Sequence, residues 1–170
     1  MSKGPTQPPK NGHSLRRQIE SIKRKRIASQ KVVSLGDYRD LQHQAQSPSI
    51  LVVDDDHVMR NALKRILESE GYQILLAEDA MDLSSVLESS NLDLILLDVN
   101  LPWVDGMELC QLLKSHQALA HVPVILISGR KDPEDVEAGF AAGCDDYIGK
   151  PFDLDHMTQT ISRLLTKSAT

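Results

Sequence analysis

Three stretches of this chain are apolar at almost every position: ILVV (50–53), LDLILL (92–97) and VPVILI (122–127). A strand with one face in water alternates apolar and polar residues. A strand covered on both faces does not, and runs of this kind belong to parallel strands held between helices. YQILLA (72–77) and DDYIG (145–149) supply two further strands. Helical periods lie between and after the strands. Met59, Ala62, Leu63, Ile66 and Leu67 share one stripe, as do Leu154, Met157, Ile161, Leu164 and Leu165. Weaker helices are expected near 79–90, 106–117 and 133–142, with Gly71 and Gly143 where helices should end. Five βα repeats predict an α/β sandwich with a mainly parallel sheet.

Composition limits what such a domain can be. At 170 residues and 41% hydrophobic content, the chain can bury one proper core and still carry an appendage. No run approaches the ~20 apolar residues of a membrane span, and MSKGPTQPPKNGHS lacks the apolar segment of a secretory signal. Cys110 and Cys144 form no disulfide framework and read as reduced thiols, so a cytoplasmic protein is expected. The net charge of −5 hides an asymmetry. Residues 1–47 hold 10 Lys/Arg against 3 Asp/Glu (+7), whereas residues 48–170 hold 9 against 21 (−12). A basic N-terminal extension (1–47) joined to an acidic domain (48–170) follows from this, with the boundary near QSPS (46–49).

In open α/β sheets, ligands bind beyond the carboxyl ends of the strands, where the strand order reverses. Asp54, Asp55 and Asp56 end the first strand, Asp98 the third, Ser128 the fourth and Lys150 the fifth. With strand order 2-1-3-4-5, the reversal sets the acidic triplet opposite Asp98. Carboxylates gathered there repel one another unless a cation offsets them. Oxygen ligands without His or Cys suit a hard ion such as Mg²⁺. A carboxylate, a hydroxyl, an ammonium and a magnesium together describe a phosphoryl-acceptor site centred on Asp98. Singly, each residue has an ordinary explanation: Asp54 as a helix N-cap, Lys150 as a solvated charge, Tyr147 as an edge-strand aromatic. Their joint placement at four strand ends favours the functional reading.

ILVVDDD, DLILLDVNLPWVDGMEL, PVILISG and GCDDYIGKPF occur in that order. With them the chain resembles a two-component response-regulator receiver domain over about 49 to 167. The resemblance implies a flavodoxin-like (βα)5 doubly wound sheet of order 2-1-3-4-5. It implies that Asp55, Asp98 and the backbone carbonyl of Asn100 bind Mg²⁺ directly, with Asp54 acting through water. Asp98 would take phosphate from a phosphohistidine of a sensor histidine kinase or phosphotransfer protein. Ser128 and Lys150 would bind the phosphoryl oxygens, and Tyr147 would turn inward as the Ser128 hydroxyl moves. The family is not one of free-standing enzymes: a member catalyses only its own phosphoryl transfer and dephosphorylation. Lys150–Pro151 resembles a peptide bond that is usually cis in the family.

Some positions depart from the pattern. Asp56 is a third acid, expected to be solvated rather than a ligand. Gly129 replaces a more usual Ala, and Asn100 and Arg130 stand where phosphate lifetime tends to be tuned. The DDY run resembles regulators that dimerise through the fourth helix, fifth strand and fifth helix. The basic residues of those dimers are replaced here by Thr160 and Ser162, so a homodimer is left open. VVDDDHV also fits the opening of haloacid-dehalogenase-like phosphatases, with Asp54 as nucleophile and Asp56 as acid/base. That scheme gives Asp98 no role and misorders its lysine relative to Asp145 and Asp146. A receiver fold that binds partners without phosphate is disfavoured by the intact acid, Ser and Lys set.

Residues 1–13 are Pro/Gly/Lys-rich and expected to be disordered. A short helix is expected from Ser14, with Leu15, Ile19 and Ile22 on one face, before KRKR (23–26) breaks the stripe. KVVSLGDYRDL (31–41) suggests a second short element. The extension lacks a helix-turn-helix pattern and aromatics for nucleic acid, and Trp or Phe for a membrane surface. A charge run of this kind is often only solvated; if the extension binds, a protein partner is expected, with transient docking on acidic helix surfaces around Glu134, Asp135 and Glu137. Because the chain ends soon after the last helix, output through protein contacts to a downstream target is expected. His116 and His121 are expected at the surface, and Met59 and Met157 in the core.

Overall fold

The computed structural model describes residues 47–169 together with Arg17 and Ile19. The expectations for 1–13, KRKR and 31–41 lie outside the described residues. The strands are β1 (Ser49–Val53), β2 (Gln73–Ala77), β3 (Leu94–Asp98), β4 (Val124–Ser128) and β5 (Asp146–Gly149). The helices of the domain are α1 (His57–Ser69), α2 (Ala80–Ser89), α3 (Gly106–Ser115), α4 (Pro133–Ala141) and α5 (Leu154–Ser168). The strands form one parallel sheet in the order β2-β1-β3-β4-β5, the doubly wound arrangement expected from the sequence.

The continuous apolar runs are explained by two cores, one on each face of the sheet. Leu51, Val53, Ile95, Leu97, Val124 and Leu126 join Leu83, Leu87, Leu109 and Leu113 from α2 and α3. Their strand neighbours Ile50, Val52, Leu94, Leu96, Ile125 and Ile127 join Leu63, Leu67, Met157 and Ile161 from α1 and α5. Each strand therefore sends alternate side chains to opposite cores, and both sets must be apolar. Met157 is buried, while Met59 packs at the edge of the second core.

Aspartates begin the helices. Asp56, Asp79, Asp105 and Asp153 each accept backbone N–H groups at the start of α1, α2, α3 and α5. Such a cap is worth about 1 kcal/mol, so part of the domain's acidity serves structure. Gly71 and Gly143 take φ of +92° and +96° just past the ends of α1 and α4, the left-handed conformation that closes a helix.

Two sequence expectations change. His116 is buried rather than superficial; it leaves α3 two residues early, and its Nε2 lies 3.0 Å from the carbonyl oxygen of Ile19. Ile19 is itself buried, 5% exposed, within the α2/α3-side core. That contact is with α3 and the loop beyond it, not with the acidic surface of α4.

Ile95 is fully buried at the centre of the sheet, whereas Val58 is 64% exposed. Ile95→Ala should lower the unfolding free energy by about 2–5 kcal/mol. Val58→Ala should change it by less than about 0.5 kcal/mol. Urea titrations of both variants check the contrast.

Candidate functional site

The sheet register brings the site together. Val53 of β1 lies opposite Leu97 of β3, so the residues that follow, Asp54 and Asp98, emerge side by side at the order reversal. Asp98 pairs with Ile127, which sets Ser128 one step further along β4. Ser128 pairs with Gly149, which delivers Lys150. Four side chains distant in sequence thus meet at one end of the sheet.

Asp54 and Asp98 are buried, at 4% and 6% exposure, and Ser128 is fully buried. Carboxylate oxygens of Asp54, Asp55 and Asp98 all lie within 4.8 Å of one another. The Lys150 ammonium stands 3.5 Å from both Asp54 Oδ2 and Asp98 Oδ2. Burial raises the Asp54 pKa above its ordinary range, and the charge of Asp98 acts in the same direction; the Asp56 amide and Lys150 oppose them. One ammonium against three carboxylates leaves the cluster short of positive charge. The chemistry of the donor set, all oxygen and anionic, fits a hard divalent cation. Asn100 is exposed beside the cluster, its N–H donating to Asp98 Oδ1 at 3.2 Å.

Asp56 is set apart from the cluster. Its exposed carboxylate accepts the N–H groups of Val58 (2.9 Å) and Met59 (3.3 Å), which hold its pKa below the usual range. The N-cap role considered for Asp54 therefore belongs to Asp56. Committed to α1, Asp56 does not stand as the acid/base that a dehalogenase-like scheme requires. The Lys150–Pro151 bond is cis.

Ser128 and Tyr147 meet through the backbone of one residue, Arg130. The Arg130 N–H donates to Ser128 Oγ at 3.0 Å, and the Tyr147 hydroxyl donates to the Arg130 carbonyl at 2.7 Å. Gly139 of α4 makes room for the Tyr147 ring; a Cβ there would lie 2.7 Å from ring atom Cδ2. Gly106 similarly lets the start of α3 press on the Asp98–Val99 backbone, since a Cβ there would come within 2.6 Å of Val99 Cα. At Gly129, by contrast, a Cβ would meet nothing within 4 Å, so the usual Ala would fit. The acids of the DDY run are paired within the chain: Asp145 with Lys114 at 2.6 Å and Asp146 with Arg163 at 2.5 Å.

One supporting residue escaped the sequence reading. Arg60 of α1 is 8% exposed. Its Nη1 donates to the Asp54 carbonyl at 2.6 Å, and its Nη2 pairs with Glu78 at 2.7 Å. The Glu78 carbonyl in turn accepts the indole N–H of Trp103 at 3.1 Å. The signal was present in the sequence, because Arg60 falls on the buried stripe of α1 with Leu63 and Leu67.

A carboxyl whose pKa is raised by folding binds its proton more tightly folded than unfolded. Its favourable contribution is complete below the unfolded value near 3.8 and is lost as pH rises through the folded value. Ionised Asp54 therefore opposes folding at neutral pH. Asp54→Asn should raise Tm at pH 7 in EDTA by on the order of 5 °C, a gain that shrinks as the pH is lowered towards 4. Thermal melts across pH measure this.

Comparison with known proteins agrees with this geometry. Residues 50–162 match the response regulator receiver domain family. The aerobic respiration control protein ArcA of Escherichia coli is 36% identical over 123 residues, covering 72% of this chain and 50% of ArcA. The transcriptional regulatory protein GltR of Pseudomonas aeruginosa is 37% identical over 124 residues, covering 73% and 51%. The chain thus spans about half the length of these curated relatives. Among solved structures, the signal receiver domain of a signal transduction histidine kinase from Syntrophus aciditrophicus has a TM-score of 0.66 at 36% identity, covering 71% of this chain and 92% of that one. A CheY-like receiver domain protein from Methanospirillum hungatei has a TM-score of 0.66 at 31% identity, covering 73% and 98%. With the acidic cluster, the Ser and Lys at their strand ends and a match over most of the domain, the chain belongs to the response regulator receiver family.

Proposed function

We propose that this chain is a phosphorylation-dependent signalling switch whose phosphoryl acceptor is Asp98. The observation that carries the reading is the position of Asp98. Its buried carboxylate is level with Asp54, 3.5 Å from the Lys150 ammonium, and within 4.8 Å of Asp54 and Asp55 carboxylate oxygens. The donor would be a phosphohistidine on a sensor histidine kinase or phosphotransfer protein. An Asp98 carboxylate oxygen attacks phosphorus, the phosphorus–nitrogen bond breaks, and the histidine leaves as imidazole after taking a proton. Asp98 then carries an acyl phosphate.

The other residues have distinct tasks. Asp55, Asp98 and the Asn100 carbonyl would hold a Mg²⁺ directly, with Asp54 contributing through water. When bound, the ion supplies charge neutralisation for the transferring phosphoryl group. Lys150, 3.5 Å from Asp98 Oδ2, would offer a second positive charge, and Ser128 a hydroxyl donor. Acting only on its own aspartate, the chain is not an enzyme in the usual sense.

The signal would leave through the Arg130 backbone. A phosphoryl group on Asp98 adds acceptor oxygens, and the Ser128 hydroxyl turns to donate to one of them. The Arg130 N–H then loses its acceptor, the loop after β4 rearranges, and Tyr147 is released from the Arg130 carbonyl to move inward. Shifting a two-state equilibrium from 1:99 to 99:1 takes about 5.5 kcal/mol, a large demand on one hydroxyl and one ammonium, so switching is expected to be partial. The output would be contact with a downstream protein. Among the described residues no helix is long and apolar enough to cross a membrane.

Incubation with Mg²⁺ and a small phosphodonor, followed by intact-mass measurement, tests the acceptor. Wild type should gain one phosphate, and Asp98→Asn none. A full phosphate on Asp98→Asn would refute the assignment. Ser128→Ala should still be modified at Asp98, but its amide shifts at Arg130 and Tyr147 on activation should shrink severalfold in NMR spectra.

A further inference from the structure

The end of the sheet opposite the acidic crevice carries a second organised contact. α3 starts beside Asp98 and ends at Ser115, so His116 lies towards the amino ends of the strands. There the side chain of Ile19, more than ninety residues away in sequence, is 95% removed from solvent. It joins the core that contains Leu87, Leu92, Leu113, Leu119 and Val122. Arg17 and Ile19 are both helical, and Arg17 is exposed.

The polar part of this contact is as specific as the apolar part. The Ile19 carbonyl can only accept, so His116 Nε2, 3.0 Å away, carries the hydrogen. His116 Nδ1 accepts the Ala118 N–H at 3.3 Å. Both ring nitrogens are thus used, and together they select the Nε2–H tautomer. A histidine held by its own loop and aimed at one carbonyl of a distant segment makes a built receptor for that segment. In the sequence, Leu15 and Ile22 stand four before and three after Ile19, the spacing of one helical face.

We infer that this end of the receiver, formed by the C-terminal parts of α2 and α3 and the loop at 116–122, is a helix-docking surface occupied by the chain's own N-terminal segment around Ile19. Ile19 supplies the apolar anchor, and His116 reads the backbone behind it. Burying one isoleucine favours docking by roughly ten- to a hundredfold, against the ordering of the segment, so the contact is exchangeable. The surface of α4, β5 and α5 is left uncovered by this contact.

A nitroxide on Arg17→Cys of the full-length protein tests the inference, because Arg17 is exposed beside Ile19. The native Cys110 and Cys144 are buried, with burial pushing their thiols up to about 11 and about 12, so an exposed new thiol reacts selectively. In ¹⁵N NMR spectra the label should weaken the amide peaks of 113–122 severalfold and leave those around Tyr147 and Lys150 unchanged. Adding Ile19→Asp should restore the 113–122 peaks with the rest of the domain spectrum unaltered, and His116→Ala should restore them in part. Unweakened peaks at 113–122 in the wild-type background, or weakening that survives Ile19→Asp, would overturn the proposal. Weakening in a mixture of unlabelled ¹⁵N chain with spin-labelled ¹⁴N chain would overturn it as well, by making a second copy the occupant.

Discussion

Repulsion among buried carboxylates is the constraint around which this domain is arranged. Parallel strands β1 and β3 end level with each other, so Asp54 and Asp98 are forced into one crevice with Asp55 at its rim. Such a grouping opposes folding unless something positive offsets it. Lys150 reaches two of the acids from the end of β5, and Arg60 anchors the Asp54 carbonyl from behind. Neither closes the charge deficit. In the proposed function, a divalent cation would make up the remaining deficit and share the charge of a phosphoryl group. On that reading, the cost of gathering the acids and the ability to hold a cation would have one origin.

The same geometry suggests how an event at Asp98 reaches the surface. The Arg130 backbone is held by Ser128 through its N–H and by Tyr147 through its carbonyl. Withdrawing the Ser128 hydroxyl leaves an amide without its acceptor, a cost that favours rearrangement of the loop. Gly139 matters here because its missing Cβ gives the Tyr147 ring its present position against α4. In the proposed switch, the coupling would need no long pathway, only the two peptide groups that flank Arg130.

Much of this was legible in the sequence because parallel βα units leave strong marks. Apolar runs without alternation located β1, β3 and β4 to within two residues, and the strand-end rule placed Asp54, Asp55, Asp98, Ser128 and Lys150 together. What escaped was decided by packing. Arg60 went unread because its partners are a backbone carbonyl and Glu78, neither of which is visible in its own helix. Asp56 looked superfluous until its role as N-cap of α1 was seen. His116 looked exposed because its partner lies ninety-seven residues away. Spacing arguments see contacts within an element, and these three contacts run between elements or into backbone.

Trp103 offers the most direct measurement of the central claim, because the indole is linked through Glu78 and Arg60 to the Asp54 backbone. Mg²⁺ titrations followed by Trp103 emission should give a saturating change in wild type. Asp55→Ala, shown to be folded by circular dichroism, should give none over the same range, because the cluster has lost a ligand. Equal responses in the two proteins would contradict metal binding by these carboxylates, and with it the account of why they are gathered.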